Sequence, residues 1–283
     1  MKKLILLITS INLFIGCSSP RNFSEDVSLE GTNSIIGGEP TAPNSAISSS
    51  TVALMANFDG SPFSFCTGTL ISKNLVLTAT HCISHLDEDE VFIHLGSKLP
   101  TSFADKSLLK VKSWKAHPQF EIVLGSQDQP VSGRNDIALI SIDGELPRRA
   151  KPALIASNNK PLTQGQKVIL AGFGIVEELY GPIYANELNN VEVPIAKLLD
   201  KMIITDQTSA KGGCSGDSGG PAFVKASNEF VVVGVTRGPH EEARDCRHYG
   251  EYTSVLHYKD FILDSAQELG AEVPQFIDLP EKL

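Results

Sequence analysis

From residue 35 onward, apolar side chains come in short runs at 51–56, 69–77, 91–95, 137–142, 167–171 and 230–235. Many of these residues are β-branched, and Gly, Pro, Asn and Asp lie between the runs. Runs of this length bounded by turn formers predict strands, and a succession of them predicts an all-β sandwich or barrel. One stretch follows a helical period instead. Between 255 and 269, Leu256, Phe261, Ile262, Leu263, Ala266 and Leu269 fall on one helical face, and Gly270 stands where a C-cap belongs. Only this end of the chain reads as helical, and no internal repeat or low-complexity tract is present.

The first 34 residues have a different character. Met1, Lys2 and Lys3 precede a mostly apolar run that reaches Ile15. A basic start and about a dozen apolar residues have the proportions of a secretory signal peptide, and the run is short for a permanent membrane helix. It closes on Phe14-Ile15-Gly16-Cys17, which resembles a bacterial lipobox, where the cysteine is lipidated and becomes the first mature residue. Plain secretion, with Cys17 discarded, is the other reading. Residues 1–16 are thus expected to be a signal peptide of lipoprotein type, and 17–34, which are polar, a linker or propeptide. The expected location is bacterial and exported: a cell-envelope lipoprotein, or a secreted or periplasmic protein. Residues 271–283 form an acidic tail.

Composition changes the picture little. With 41% hydrophobic and 20% charged residues the chain is ordinary globular material. Its formal charge of -9, without any cluster of Lys and Arg, argues against nucleic acid as a partner. The five cysteines say more. If Cys17 carries lipid, Cys66, Cys82, Cys214 and Cys246 remain; they allow three pairings, and an exported protein keeps such bonds oxidised.

The strongest chemical signal is Cys214-Ser215-Gly216-Asp217-Ser218-Gly219-Gly220-Pro221. A serine nucleophile needs an open hydroxyl beside backbone N–H groups aimed at a developing oxyanion. Glycines permit that backbone geometry, with Gly216 and Ser218 as the donors. A β-rich run ending in Thr78-Ala79-Thr80-His81-Cys82 puts an imidazole at a strand end, and histidine titrates near working pH, as a general base should. His85, His94, His117, His240, His248 and His257 are read as structural. In Asn135-Asp136-Ile137-Ala138, an acid leads into an apolar strand. It supplies the buried carboxylate that a Ser–His pair needs to fix the imidazole tautomer and stabilise the imidazolium. An esterase is disfavoured, because the serine does not lie in a Gly-x-Ser-x-Gly elbow, and a zinc protease because no His-Glu-x-x-His run exists. No metal or other cofactor is expected.

The order His81, Asp136, Ser218, with Ile35-Ile36-Gly37-Gly38, Ala171-Gly172-Phe173-Gly174 and Glu251-Tyr252-Thr253 before a helix, resembles the trypsin/chymotrypsin family of serine proteases over residues 35–269. The resemblance implies two six-stranded antiparallel β-barrels, at about 35–150 and 151–254, with the active site between them and a C-terminal helix at 255–269, making a protease domain of residues 35–270. It implies the disulfides Cys66–Cys82 and Cys214–Cys246. It also implies a zymogen, cut before Ile35 by a separate activating protease, whose new amine pairs with Asp217. The cut follows Ser34, so the activator is not trypsin-like. The pocket for the residue before the scissile bond (P1) maps to Gly212, Gly238 and Gly250, which lack a carboxylate; a large apolar or aromatic P1 side chain is expected. Thr236 maps to the position whose hydroxyl supports the triad carboxylate, and Arg237 and Glu251 are placed to pair near the pocket. The expected protein is a monomeric endopeptidase acting on proteins or peptides, held at a membrane only through Cys17. The rival from another class is a catalytically silent homologue that serves as a binding protein.

Overall fold

Strands dominate the residues that the computed structural model describes, which are 35–124, 130–158, 160, 162–177, 183–240 and 246–283. The signal peptide, Cys17 and the linker lie outside them. β1 (Glu39–Pro40) and α1 (Ala46–Ser50) lead into β2 (Thr51–Phe58), β3 (Ser61–Ser72), β4 (Leu75–Thr78), β5 (Phe92–His94) and β6 (Leu108–Ala116). A hairpin of β7 (Glu121–Leu124) and β8 (Pro130–Arg134) precedes β9 (Ala138–Asp143). Six of these strands close a barrel in the order β2-β3-β4-β9-β6-β5. Leu54, Leu70, Leu75, Leu77, Leu139 and Ile140 are fully buried in its core. Closure leaves this barrel without a free sheet edge.

The second half begins with β10 (Leu154–Ala156) and β11 (Lys167–Gly172), followed by a hairpin of β12 (Ile175–Glu177) and β13 (Ile183–Tyr184). Next come β14 (Asn189–Leu198), β15 (Met202–Asp206), β16 (Pro221–Ala226), β17 (Glu229–Pro239) and β18 (Tyr249–Ser254). Antiparallel pairs run β11-β14-β15-β18-β17-β16, and β16 returns to β11, so this sheet also closes on six strands. Val168, Val193, Ile203, Val224, Val233 and Tyr252 fill it. The expected pair of six-stranded barrels is what the chain forms. A 3-10 turn over Val255–Tyr258 then leads into α2 (Lys259–Glu268), whose Ile262 and Ala266 pack with the core cluster of the first barrel. Gly270, at φ +62°, ends the helix where the sequence places its cap.

Two local features depart from the sequence reading, and a third, the tail, takes one of the two forms that reading left open. The apolar run at 69–77 is two strands, because polar Lys73 and Asn74 make the turn between β3 and β4. The helix α1 is too short for a period to show; it is held by Ser45, whose Oγ accepts the Ser48 N–H at 3.2 Å. The acidic tail is docked. β19 (Phe276–Ile277) pairs in parallel with β10, the Ile155 N–H donates to Gln275 O at 3.0 Å, and Leu279 is buried.

Candidate active site

His81 sits in a 3-10 turn (Thr80–Cys82) directly after β4, and Asp136 sits just before β9, the strand that pairs with β4. Strand pairing therefore brings together two residues 55 positions apart. Asp136 is 1% exposed. Its Oδ1 accepts the His81 backbone N–H at 2.9 Å, and its Oδ2 lies 2.6 Å from His81 Nδ1. An ionised carboxylate only accepts, so Nδ1 carries a proton and the lone pair of the neutral ring is on Nε2. The loop around Asp136 is held from three sides. The Thr80 hydroxyl donates to Ile137 O at 2.7 Å, the Thr253 hydroxyl to Asp136 O at 3.0 Å, and the Tyr258 hydroxyl to Asn135 Oδ1 at 3.0 Å. Asn135 itself is at φ +50°, a conformation that asparagine tolerates.

The serine loop belongs to the second barrel but is pinned by the first. The Thr67 N–H, on β3, donates to Ser218 O at 2.8 Å, and its hydroxyl donates to Gly216 O at 2.8 Å. The same hydroxyl accepts the Phe173 N–H at 3.2 Å. On the other flank the Gly219 N–H donates to Thr236 O at 2.8 Å. Gly216 is at φ +94°, and a Cβ there would lie 2.8 Å from Gly174 Cα, so only glycine fits. The N–H groups of Gly216 and Ser218 donate to no acceptor among the described residues. That is the state an oxyanion site requires before substrate arrives.

Cys66–Cys82 and Cys214–Cys246 are both bonded, which is the pairing that the family resemblance implies. Cys82 Sγ lies 3.8 Å from His81 Nε2 and 3.6 Å from Ser218 O, so imidazole and serine flank one sulfur atom. Ser218 Oγ makes no hydrogen bond among the described residues. Unliganded sites commonly close that contact only when substrate binds. A cleft of about 350 Å³ opens beside the imidazole, lined by His81, Phe120, Ile122, Gly133, Arg237 and Gly238.

Asp217 is 2% exposed, with Oδ1 accepting the Gly174 N–H and Oδ2 the Cys214 N–H, each at 2.9 Å. Burial pushes its carboxyl up to about 7, against the opposing pull of the Cys214 and Gly174 amides. No cation pairs with it among the described residues. Ile35 is fully buried in the second barrel's cluster, and Ile36 bridges to Gly212.

Some assignments move. The Thr236 hydroxyl donates to Gly220 O at 3.0 Å rather than to Asp136, because β17 turns it toward the serine loop; the bond to the Asp136 segment comes from Thr253. Arg237 and Glu251 do pair, at 3.5 Å, with His240 Nδ1 also 2.7 Å from Glu251. The Arg237 Nη2 donates to Gly133 O across the cleft. Gly212 and Gly250 face one another across Gln207, which reaches into the space between them, while a Cβ on Gly238 would meet nothing within 4 Å. Thr67 and Gln207 were not visible as site residues in the sequence, since they lie in no motif, and Thr253 stood in the Glu251-Tyr252-Thr253 motif without a role attached to it.

The trypsin family model matches residues 35–262. Mannan-binding lectin serine protease 1 of Rattus norvegicus is 28% identical over 238 residues, 75% of this chain but 32% of its own length. The chain thus spans about a third of that relative. A trypsin of Phaedon cochleariae is 28% identical over 221 residues, covering 72% of this chain and 79% of its own. Serine protease 28 of Mus musculus is 24% identical over 247 residues, 79% of this chain and 87% of its own. The family model runs through both barrels and takes in His81, Asp136 and Ser218, and this chain belongs to the trypsin family.

Proposed function

We propose that the protein is a serine endopeptidase in which Ser218 is the nucleophile, His81 its base and Asp136 the carboxylate that orients the base. The observation that carries this reading is the 2.6 Å contact between His81 Nδ1 and buried Asp136, which leaves Nε2 as the basic nitrogen, 3.8 Å from the Cys82 sulfur that also lies 3.6 Å from Ser218 O. His81 takes the Ser218 hydroxyl proton as Oγ bonds to the substrate carbonyl carbon. The resulting oxyanion accepts from the Gly216 and Ser218 amides. His81 then protonates the leaving amine, the C–N bond breaks, and water repeats the sequence on the acyl-enzyme.

Activation by cleavage before Ile35 is part of the proposal, and two features favour it. In the uncut chain the Ile35 nitrogen is a peptide nitrogen, and Asp217 is buried with only two amides to offset its charge. Ile35 is also at φ +63°, which is unfavourable for a β-branched residue. Cutting the preceding bond removes that torsion and supplies an ammonium that can pair with Asp217. The activator is a separate protease, and the product is a monomer that acts on proteins or peptides. The two disulfides fit an exported protein. With Cys17 lipidated, the precursor is a cell-envelope lipoprotein of a bacterium. No cysteine is left to tie residues 17–34 to the barrels, so cleavage also frees the enzyme from its anchor. Mature protein that starts at Ile35 yet stays with the membrane would refute the release step.

The test is cleavage of a peptide library by protein trimmed to begin at Ile35, beside Ser218→Ala and the untrimmed precursor. Trimmed wild type should cut, Ser218→Ala should lose about 10⁶-fold in kcat, and precursor should be weak. Folded, trimmed protein that cuts nothing would make the silent homologue the better reading. With no carboxylate at Gly212, Gly238 or Gly250, P1 is proposed to be uncharged. The large apolar or aromatic P1 expected from three glycines presumes that the space among them is empty, and Gln207 stands in it.

A further inference from the structure

We infer that Gln207 is the floor of the P1 pocket and sets the upper size of the side chain that the enzyme accepts, so that aliphatic P1 residues are preferred over aromatic ones. The inference rests on the protease reading above.

The space in question lies beside the nucleophile by construction. On one side it is bounded by Gly212 and Gly213, just before the Cys214–Ser218 loop. On the other side lies β17, whose Thr236 is bonded to Gly219 and Gly220 and whose next residues are Arg237 and Gly238. β18, with Gly250, pairs with β17 and forms the back. Cys214–Cys246 joins two of these walls. On the protease reading, in which Gly212, Gly238 and Gly250 are the pocket positions, this space receives the P1 side chain.

Gln207 follows β15 and is 1% exposed. A Cβ on Gly212 would lie 2.1 Å from Gln207 Cδ, and a Cβ on Gly250 would lie 2.6 Å from Gln207 Oε1. The carboxamide therefore fills the volume that side chains at 212 and 250 would otherwise occupy. It is also anchored there. Nε2 donates to Cys246 O at 2.9 Å and to Gly213 O at 3.3 Å, while Oε1 accepts the Gly213 N–H at 3.0 Å and, more loosely, the Tyr252 hydroxyl at 3.4 Å. The Gln207 N–H donates to His248 O at 2.8 Å. Both amide hydrogens are used, so the floor offers no spare donor. It is neutral, and it cannot swing away without stranding buried polar groups of Gly213 and Cys246. Depth and charge of the pocket are thus both set by a side chain from another segment, which a count of pocket positions along the chain does not reveal.

The experiment is kcat/KM for protein trimmed to begin at Ile35 on peptides that differ only at P1: Ala, Val, Leu, Phe, Tyr, Trp, Lys and Arg. Wild type should favour Val and Leu over Phe, Tyr and Trp by at least about tenfold, and should disfavour Lys and Arg. One or two methylenes in an apolar pocket already discriminate by that factor. Gln207→Ala should raise the Phe-to-Leu ratio by about tenfold or more, and Gln207→Glu should raise Lys and Arg relative to Leu by a similar factor. A Phe-to-Leu ratio unchanged in folded Gln207→Ala would overturn the inference while leaving the protease intact. If that variant does not fold, the wild-type profile decides, and cleavage after aromatic residues as fast as after aliphatic ones overturns it. Failure of folded, trimmed wild type to cut any peptide would instead bring down the protease reading, and this inference with it.

Discussion

The Thr67 N–H of the first barrel and the Ser218 carbonyl of the second are joined at 2.8 Å. One strand of the imidazole-bearing barrel thus holds the main chain of the serine, and the Thr67 hydroxyl holds Gly216 two residues away. On the proposed mechanism, this threonine couples the placement of the base to that of the nucleophile and its neighbouring amides.

Thr67→Val keeps the shape of the side chain but leaves Gly216 O and Phe173 N–H without their partner. The expected cost is about 1–3 kcal/mol in stability, read from urea unfolding. Because the Gly216–Asp217 peptide then keeps only the Asp217 N–H bond to Cys214 O, the loop is held less firmly, and kcat should fall by roughly tenfold or more, with a smaller change in KM. Thr67→Ser, which restores the hydroxyl, should recover most of the loss. Equal effects on both variants would show that the hydroxyl bond is not what holds the loop.

Asp136 makes its two contacts with one residue, His81, through separate oxygens. Asp136→Asn replaces one acceptor with a donor and favours the wrong imidazole tautomer. The expected drop in kcat is on the order of 10⁴-fold at neutral pH, with a fold indistinguishable by circular dichroism. A loss below tenfold would remove Asp136 from the mechanism.

Asp217 makes the uncut chain pH-sensitive. Its folded carboxyl is raised from the ordinary value to about 7, so between roughly pH 4 and 7 the folded protein binds more protons than the unfolded one. Stability from this group is fully present below the unfolded pKa, and is lost as pH rises to the folded one. The shift corresponds to a loss on the order of 4 kcal/mol across that window. Urea midpoints of precursor should show that decline, and Asp217→Asn should flatten it. Protein trimmed to begin at Ile35 should show far less of it, because its ammonium pairs with the ionised carboxyl. A precursor and a trimmed enzyme with parallel profiles would count against the ion pair.

Cys66–Cys82 closes a loop of 15 intervening residues and also touches both imidazole and serine. Replacing both cysteines with Ala should cost about 3 kcal/mol of stability by the loop-entropy argument. Activity should fall further than stability, measured under conditions where the variant is fully folded. Full retention of kcat would limit the bridge to a stabilising role.

The residues of the proposed triad stood out in the sequence because each lies in a contiguous run whose residue types suit that chemistry. The same holds for the glycine at 216, where backbone torsion and the close approach of Gly174 both exclude a side chain. The short apolar runs made an all-β fold legible, and the family resemblance implied its two barrels, but their details were not visible. Lys73 and Asn74 split one run into a hairpin, five residues at 46–50 formed a helix too short to show a period, and the acidic tail hid Phe276, Ile277 and Leu279, which dock on β10. Gln207 is the most instructive omission. Counting from motifs identified Gly212, Gly238 and Gly250 by their missing side chains, yet an empty position along the chain need not be empty in space.

The division of labour between the two barrels bears on how the chain is made. His81 and Asp136 reside in the half that leaves the ribosome first, whereas Ser218, the proposed oxyanion amides and the proposed Gln207 floor all come from the half that follows. A polypeptide whose synthesis or export stalls after the first barrel holds an acid–base pair with nothing to activate. On the proposed mechanism, completion of translation is then itself a safeguard for the producing cell, separate from the proposed cut before Ile35.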